Sequence, residues 1–176
     1  MAQDALHEFV QDARQGWSGL NSDTVIRLRQ ALETLVANCA EDAWLKAIHE
    51  EKPATVKLYE DETCGFMLLA HVERRGMYRP PHDHGAGWVF YILQHGEIRM
   101  GTYRQHTDRH GRTALVTRGD TVKRPGECSV YLPGDIHDTQ CMSDYIVQFR
   151  LTSWDLAKEK AEGRMTVFAQ GRPEAA

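Results

Sequence analysis

The spacing of apolar residues changes once along this chain, near Lys52-Pro53, and that change restricts the fold more than any other feature. Before it, Leu6, Phe9, Val10 and Ala13 recur at helical spacing. Val25, Leu28, Leu32, Leu35 and Val36 do the same after Asn21-Ser22-Asp23, whose side chains suit a helix N-cap. A shorter set, Trp44, Leu45 and Ile48, follows Glu41 and Asp42. The pattern predicts three short amphipathic helices ending between Glu50 and Pro53, each with an apolar stripe that needs cover.

After the change, short runs rich in Val, Ile, Leu, Phe and Tyr alternate with Gly, Pro and Asp. Strands are predicted over 56–59, 65–73, 88–94, 97–104, 113–117, 121–123, 128–132, 136–141 and 145–152. Turns are predicted at His95-Gly96, Arg109-His110-Gly111-Arg112, Arg118-Gly119-Asp120, Pro125-Gly126 and Pro133-Gly134-Asp135. So many short strands joined by tight turns favour a small antiparallel barrel or jelly roll over a parallel sheet. Residues 1–53 then form a helical segment packed on a barrel of residues 54–176. The end of that span carries a short helix near Leu156 to Glu162 and a last apolar piece from Met165 to Phe168.

Composition removes several classes of function. No run approaches the roughly 18 consecutive apolar residues of a membrane span. The 21 Lys plus Arg against 25 Asp plus Glu are dispersed, which gives no basic footprint for nucleic acid. Neither membrane nor nucleic acid is an expected partner. The first ten residues carry Asp4 and Glu8 and lack a secretory pattern, so the expected location is cytoplasmic. Cys39, Cys64, Cys128 and Cys141 lie far apart with no C-x-x-C pair and read as reduced thiols.

The nine histidines carry the chemistry. His82-Asp83-His84 lies between Pro80-Pro81 and Gly85-Ala86-Gly87. In an extended chain residues two apart share a face, so both imidazoles can point the same way. His137 follows Pro133-Gly134-Asp135-Ile136, a turn that would launch another strand with its imidazole inward. Three neutral imidazoles suit Fe(II), Ni(II), Cu(II) or Zn(II). Without a carboxylate in the shell the ion keeps its full charge, which favours an anionic ligand. Asp138, Gln140 and Gln148 are the nearest candidates in sequence to accept the second N–H of each ring.

These residues also fit a family pattern. Gly76, five residues, His82-x-His84, four residues to Val89 and six more to Gly96 resembles the first motif of the cupin superfamily, with Val89 where glutamate is usual. Pro133-Gly134-Asp135-x-His137 resembles the second motif, with Cys141 in place of its final asparagine. The fold this implies is mostly β: a cupin double-stranded β-helix (jelly-roll) barrel preceded by short N-terminal α-helices. From about Val56 to Thr152 the chain is similar to thiol dioxygenases related to cysteine dioxygenase type I, which hold iron by three histidines and lack the carboxylate. The resemblance implies that His82, His84 and His137 hold Fe(II), with other divalent ions such as Zn or Ni as alternatives.

The departures are equally specific. Val89 stands where animal cysteine dioxygenases carry a crosslinked cysteine, and the last strand reads Gln148-x-Arg150-x-Thr152, without the family's tyrosine and its serine–histidine–tyrosine relay. The arginine that grips the substrate carboxylate in that family would fall near Lys57 or Tyr59.

Strand alternation puts Ile146, Gln148, Arg150 and Thr152 on one face, which the resemblance turns toward the metal. Arg150 there is either paired with Glu97 or Asp138, or clamps a substrate carboxylate, with Arg79 as a second choice for the clamp. Tyr91 is the aromatic expected to act on the substrate, and Tyr91, Tyr78 and Trp88 on their strands either line a substrate pocket or belong to the core. His71, His95, His106 and His110 lack motif support and read as structural. The expected activity is that of a non-haem Fe(II) dioxygenase acting on a small anionic thiol with O2, as a monomer or homodimer. A metal-dependent isomerase or hydrolase using the ion as Lewis acid, or a cupin that binds a small ligand without turnover, is the alternative.

Overall fold

The structure is a computed structural model and describes residues 4–168. Three helices come first: α1 (Ala5–Gly16), α2 (Ser22–Asn38) and α3 (Ala43–Glu51). Their ends follow from local chemistry. The Asp4 side chain accepts from the His7 amide and that of Asn21 from the Thr24 amide. Helix α3 stops at Lys52, which takes a left-handed conformation at φ 49°, and Pro53 then prevents the helix from resuming.

Nine strands follow: β1 (Thr55–Glu60), β2 (Met67–Arg74), β3 (Tyr78–His82), β4 (Val89–His95), β5 (Ile98–Thr107), β6 (Thr113–Lys123), β7 (Cys128–Tyr131), β8 (Ile136–Cys141) and β9 (Tyr145–Thr152). They form two antiparallel sheets, in the orders β1-β2-β9-β4-β7 and β3-β8-β5-β6. This is a jelly-roll barrel preceded by short helices, as the strand-and-turn pattern predicts. A last helix, α4 (Leu156–Ala161), is capped by Asp155. No helix among the described residues is long and apolar enough to cross a membrane.

The five-stranded sheet buries apolar residues on both faces, and its inner face also carries the polar His71, Glu73, Gln148 and Arg150. Leu68, Ala70 and Val72 of β2, Phe90 and Ile92 of β4, and Val147, Phe149 and Leu151 of β9 pack with Phe9, Leu28, Leu32 and Leu35 of the helices. The alternate residues Val89, Tyr91, Leu93 and Ile146 meet Ile98, Met100 and Cys141 of the other sheet inside the barrel. Trp88 belongs to the helix side, stacked on Trp17 with ring centroids 5.1 Å apart, so it is core and not pocket.

Two elements differ from expectation. Arg118-Gly119-Asp120 is not a turn: β6 runs through it, and the register slips opposite Thr102 and Tyr103 while Gly119 takes φ 137°, a bulge that only glycine tolerates well. Strand β3 was hidden by Pro80-Pro81. It is an edge strand, paired with β8 through Tyr78–Gln140, Arg79–Thr139 and His82–His137, and the irregularity between Arg79 and His82 falls where the prolines have no N–H to donate. Beyond α4 the chain returns to this edge. The Asp83 amide donates to the Thr166 carbonyl (3.1 Å) and the Phe168 amide to the Pro81 carbonyl (2.8 Å), either side of His82.

Candidate metal centre and substrate cleft

His82 and His137 face each other across β3 and β8. His84 lies two residues past the end of β3, in the bend closed by the Gly87 amide donating to the His84 carbonyl at 3.0 Å. Gly85 makes this bend possible: it sits at φ 61°, and a Cβ there would come within 2.9 Å of Glu159 Oε2 and 3.0 Å of the Arg164 carbonyl. The three histidines are brought together with one ring nitrogen from each within 4.8 Å of the others. His84 and His137 are completely buried, and His82 opens to the cleft.

All three rings are held neutral. Burial pushes His84 down to about 3, with the neighbouring His82 and Arg150 adding to the effect, and it holds His137 well below the usual imidazole range, reinforced by His82 and His84. His82 is lowered by the same cause. Its Nδ1 donates to the Pro80 carbonyl at 2.8 Å, which leaves Nε2 as the lone-pair nitrogen. Tyr131 stacks on His137 with centroids 3.9 Å apart, and the Tyr91 hydroxyl lies 3.3 Å from His84 Nε2. Three neutral nitrogens converging in a buried site without a proton to share fit a divalent transition metal.

The second ring nitrogens depart from expectation. Nδ1 of His84 and of His137 has no acceptor among the described residues. Asp138, adjacent to His137 in sequence, points to the other side of β8. It accepts from the Tyr78 hydroxyl (2.9 Å), the Tyr103 hydroxyl (2.8 Å) and the Gly101 amide (2.9 Å), and so knits the second sheet together. Ring stacking, not an acceptor, holds His137 in place.

His82 and His137 line a cleft of about 490 Å³ together with His71, Glu73, Arg79, Tyr91, Gln148 and Arg150, and with Leu156, Lys160, Met165 and Val167 of the C-terminal part of the chain. Arg150 and Tyr91 are therefore both in the cleft, and they sit directly opposite each other on β9 and β4. The expected ion pair of Arg150 does not form. Glu97 accepts from Arg124 (3.0 Å), Asp138 is engaged as above, and among the described residues Arg150 has no salt bridge while its Nε is buried without a partner.

Lys57 and Tyr59 are outside the cleft, bonded to Glu60 and Asp61. His95 packs against His49 and Tyr145 under α3, and His106 and His110 are exposed. His71 is the exception. It and Glu73 line the cleft beside Arg150, and the sequence signal for them was present: His71 and Glu73 interrupt β2 on the face opposite Leu68, Ala70 and Val72.

No family model and no curated protein matches the chain. Among solved structures it is similar to the cupin domain of Cnp3 from Schizosaccharomyces pombe, at 11% identity and a TM-score of 0.45 over 62% of this chain and 66% of that one. It is similar to KdgF from Halomonas sp., at 14% identity and 0.41 over 56% and 74%. A third is the hydroquinone 1,2-dioxygenase PnpCD in complex with Cd2+ and 4-hydroxybenzonitrile, at 16% and 0.43 over 56% and 63%. The chain spans less than two thirds of the first and third of these.

Proposed function

We propose that the chain is a metal-dependent cupin acting as a non-haem Fe(II) dioxygenase on a small anionic, thiol-bearing substrate with O2. The convergence of His82, His84 and His137, neutral and without a carboxylate, carries this reading. Iron held there would supply the redox centre through which electrons pass from the substrate sulfur, which is oxidised, to O2, and a positively charged face for a thiolate. The protein's own residues bind and orient. The Arg150 guanidinium, buried at Nε and lacking a carboxylate partner among the described residues, takes the substrate carboxylate. The Tyr91 hydroxyl, 3.3 Å from His84 Nε2, presents a polar hydrogen beside the reacting end, and burial holds it protonated. Residues of α4 and the returning segment around Val167 line the same cleft and would help to exclude water from it.

In this reading the protein works as a cytoplasmic monomer or homodimer with no nucleic-acid or membrane partner. The test is elemental analysis of protein purified without a histidine tag, followed by O2 uptake with cysteine, cysteamine, 3-mercaptopropionate and non-thiol acids. Iron at about one per chain with uptake on a carboxylated thiol is expected. Turnover without O2 would instead assign a Lewis-acid isomerase or hydrolase.

A further inference from the structure

Opposite the histidine triad, the cleft wall holds two buried polar atoms whose hydrogen-bonding character can be worked out. His71 is 8% exposed and Glu73 2% exposed, two residues apart on β2 and on the same face. The single hydroxyl proton of Thr55 is committed to the Ala54 carbonyl at 2.8 Å, so Thr55 Oγ1 accepts from His71 Nδ1 at 2.9 Å. The ring is neutral because burial and the nearby Arg150 and Arg79 push it down to about 3, so Nε2 carries a lone pair. That Nε2 has no partner among the described residues. Glu73 receives the Arg79 Nε–H at Oε1, and its Oε2 is likewise buried without a partner.

Two unsatisfied acceptors on one face, beside an unsatisfied donor on Arg150, make an uneven wall. Buried polar groups are normally paired, because an unpaired acceptor keeps the full cost of its lost hydration. A thiolate and a carboxylate supply no donor to this pair of atoms, whereas an ammonium supplies three. Its positive charge also offsets the negative carboxylate of Glu73, which Arg79 neutralises from one side only. Register places the two poles side by side: His71 pairs with Gln148 across β2 and β9, and Leu69 with Arg150.

We propose that His71 and Glu73 form a subsite for a primary amino group, so that the cleft takes a small amino-bearing carboxylate with its carboxylate at Arg150. This rests on the reading of the cleft as the substrate site, and it adds a specificity element on β2 that the metal centre does not require.

The experiment is anaerobic titration calorimetry of the full-length protein with matched ligands, cysteine against 3-mercaptopropionate and alanine against propionate, each pair differing in the amino group. The amino-bearing member should bind about tenfold or more tightly in the wild type, the return expected of charge-assisted hydrogen bonds. Glu73→Gln should bring the ratio to near one and leave the deamino ligands unchanged. His71→Asn, which keeps a donor for Thr55, should lower the ratio without touching the Arg79 pair, and it serves where Glu73→Gln folds poorly. A wild-type ratio near one, or a ratio preserved in both variants, overturns the subsite. Absence of O2 uptake with an intact ratio would overturn the dioxygenase reading and leave the subsite standing.

Discussion

Nε2 of His84 lies 3.3 Å from Nε2 of His137, inside the barrel and out of contact with water. Two neutral rings at that distance share at most one proton, and a second is opposed by burial of both. A divalent cation satisfies both lone pairs and, with His82, a third. Changing His137 to Ala should therefore strip most of the metal, lowering affinity by about 10- to 100-fold or more, which is the cost of losing even an outer supporting contact. Elemental analysis after dialysis against a chelator reads this directly. Wild-type occupancy in His137→Ala would remove the triad as the binding site.

Val89 and Thr152 stand directly opposite each other on β4 and β9. On the resemblance to thiol dioxygenases they fall where those enzymes join a cysteine to a tyrosine, and neither residue can form a thioether. Under the proposed function, activity should then be complete without slow maturation, and intact mass should equal the sequence mass with no loss of two hydrogens. A rate that rises over repeated turnovers together with a crosslinked peptide from these strands would contradict this.

What could be read from the chain, and what could not, follows from strand geometry. His82, His84 and His137 were legible because ligand spacing survives in sequence, and Arg150 because parity along β9 does. The same parity misleads when adjacency is used in its place. Asp138 follows His137, and for that reason faces the other way. His71 and Glu73 were passed over because β2 reads as a buried apolar strand, and only its alternate positions reveal a polar lumen. Strand β3 was missed because its two prolines signal a turn in the middle of a sheet and an ordinary residue pair at its edge.

Stability should fall with acid. His71 and His84 titrate at about 3 in the fold, and His137 is also lowered, against an unfolded value near 6.5. Between those values the unfolded chain binds protons that the native state refuses, so stability rises with pH across the window and is complete above it. Each histidine contributes about 1.4 kcal/mol per pH unit there. Thermal unfolding of the chelator-treated protein should shift downward from pH 7 to pH 5 and stay flat above 7. His71→Asn should remove one proton from the slope. An unchanged melting temperature between pH 7 and 5 would show that these rings take up protons in the fold as readily as in the unfolded chain.

Arg150 brings a guanidinium into a cleft where, among the described residues, no carboxylate meets it. A half-buried cation with its Nε out of contact with water and no anion beside it carries a desolvation cost that a bound carboxylate offsets. Arg150→Gln should lose roughly 1.5 to 3 kcal/mol of binding, a tenfold to hundredfold rise in KM for carboxylated substrates. Arg150→Lys should recover little, because an ammonium lacks the planar fork. Cysteamine, with no carboxylate, supplies the control: its KM should not rise in Arg150→Gln, and the wild type should use it poorly. Equal use of cysteamine and 3-mercaptopropionate by the wild type, or an Arg150→Gln enzyme with unchanged KM, would make Arg150 a wall of the barrel and move the carboxylate contact to Arg79 or Lys160, the other cations lining the cleft.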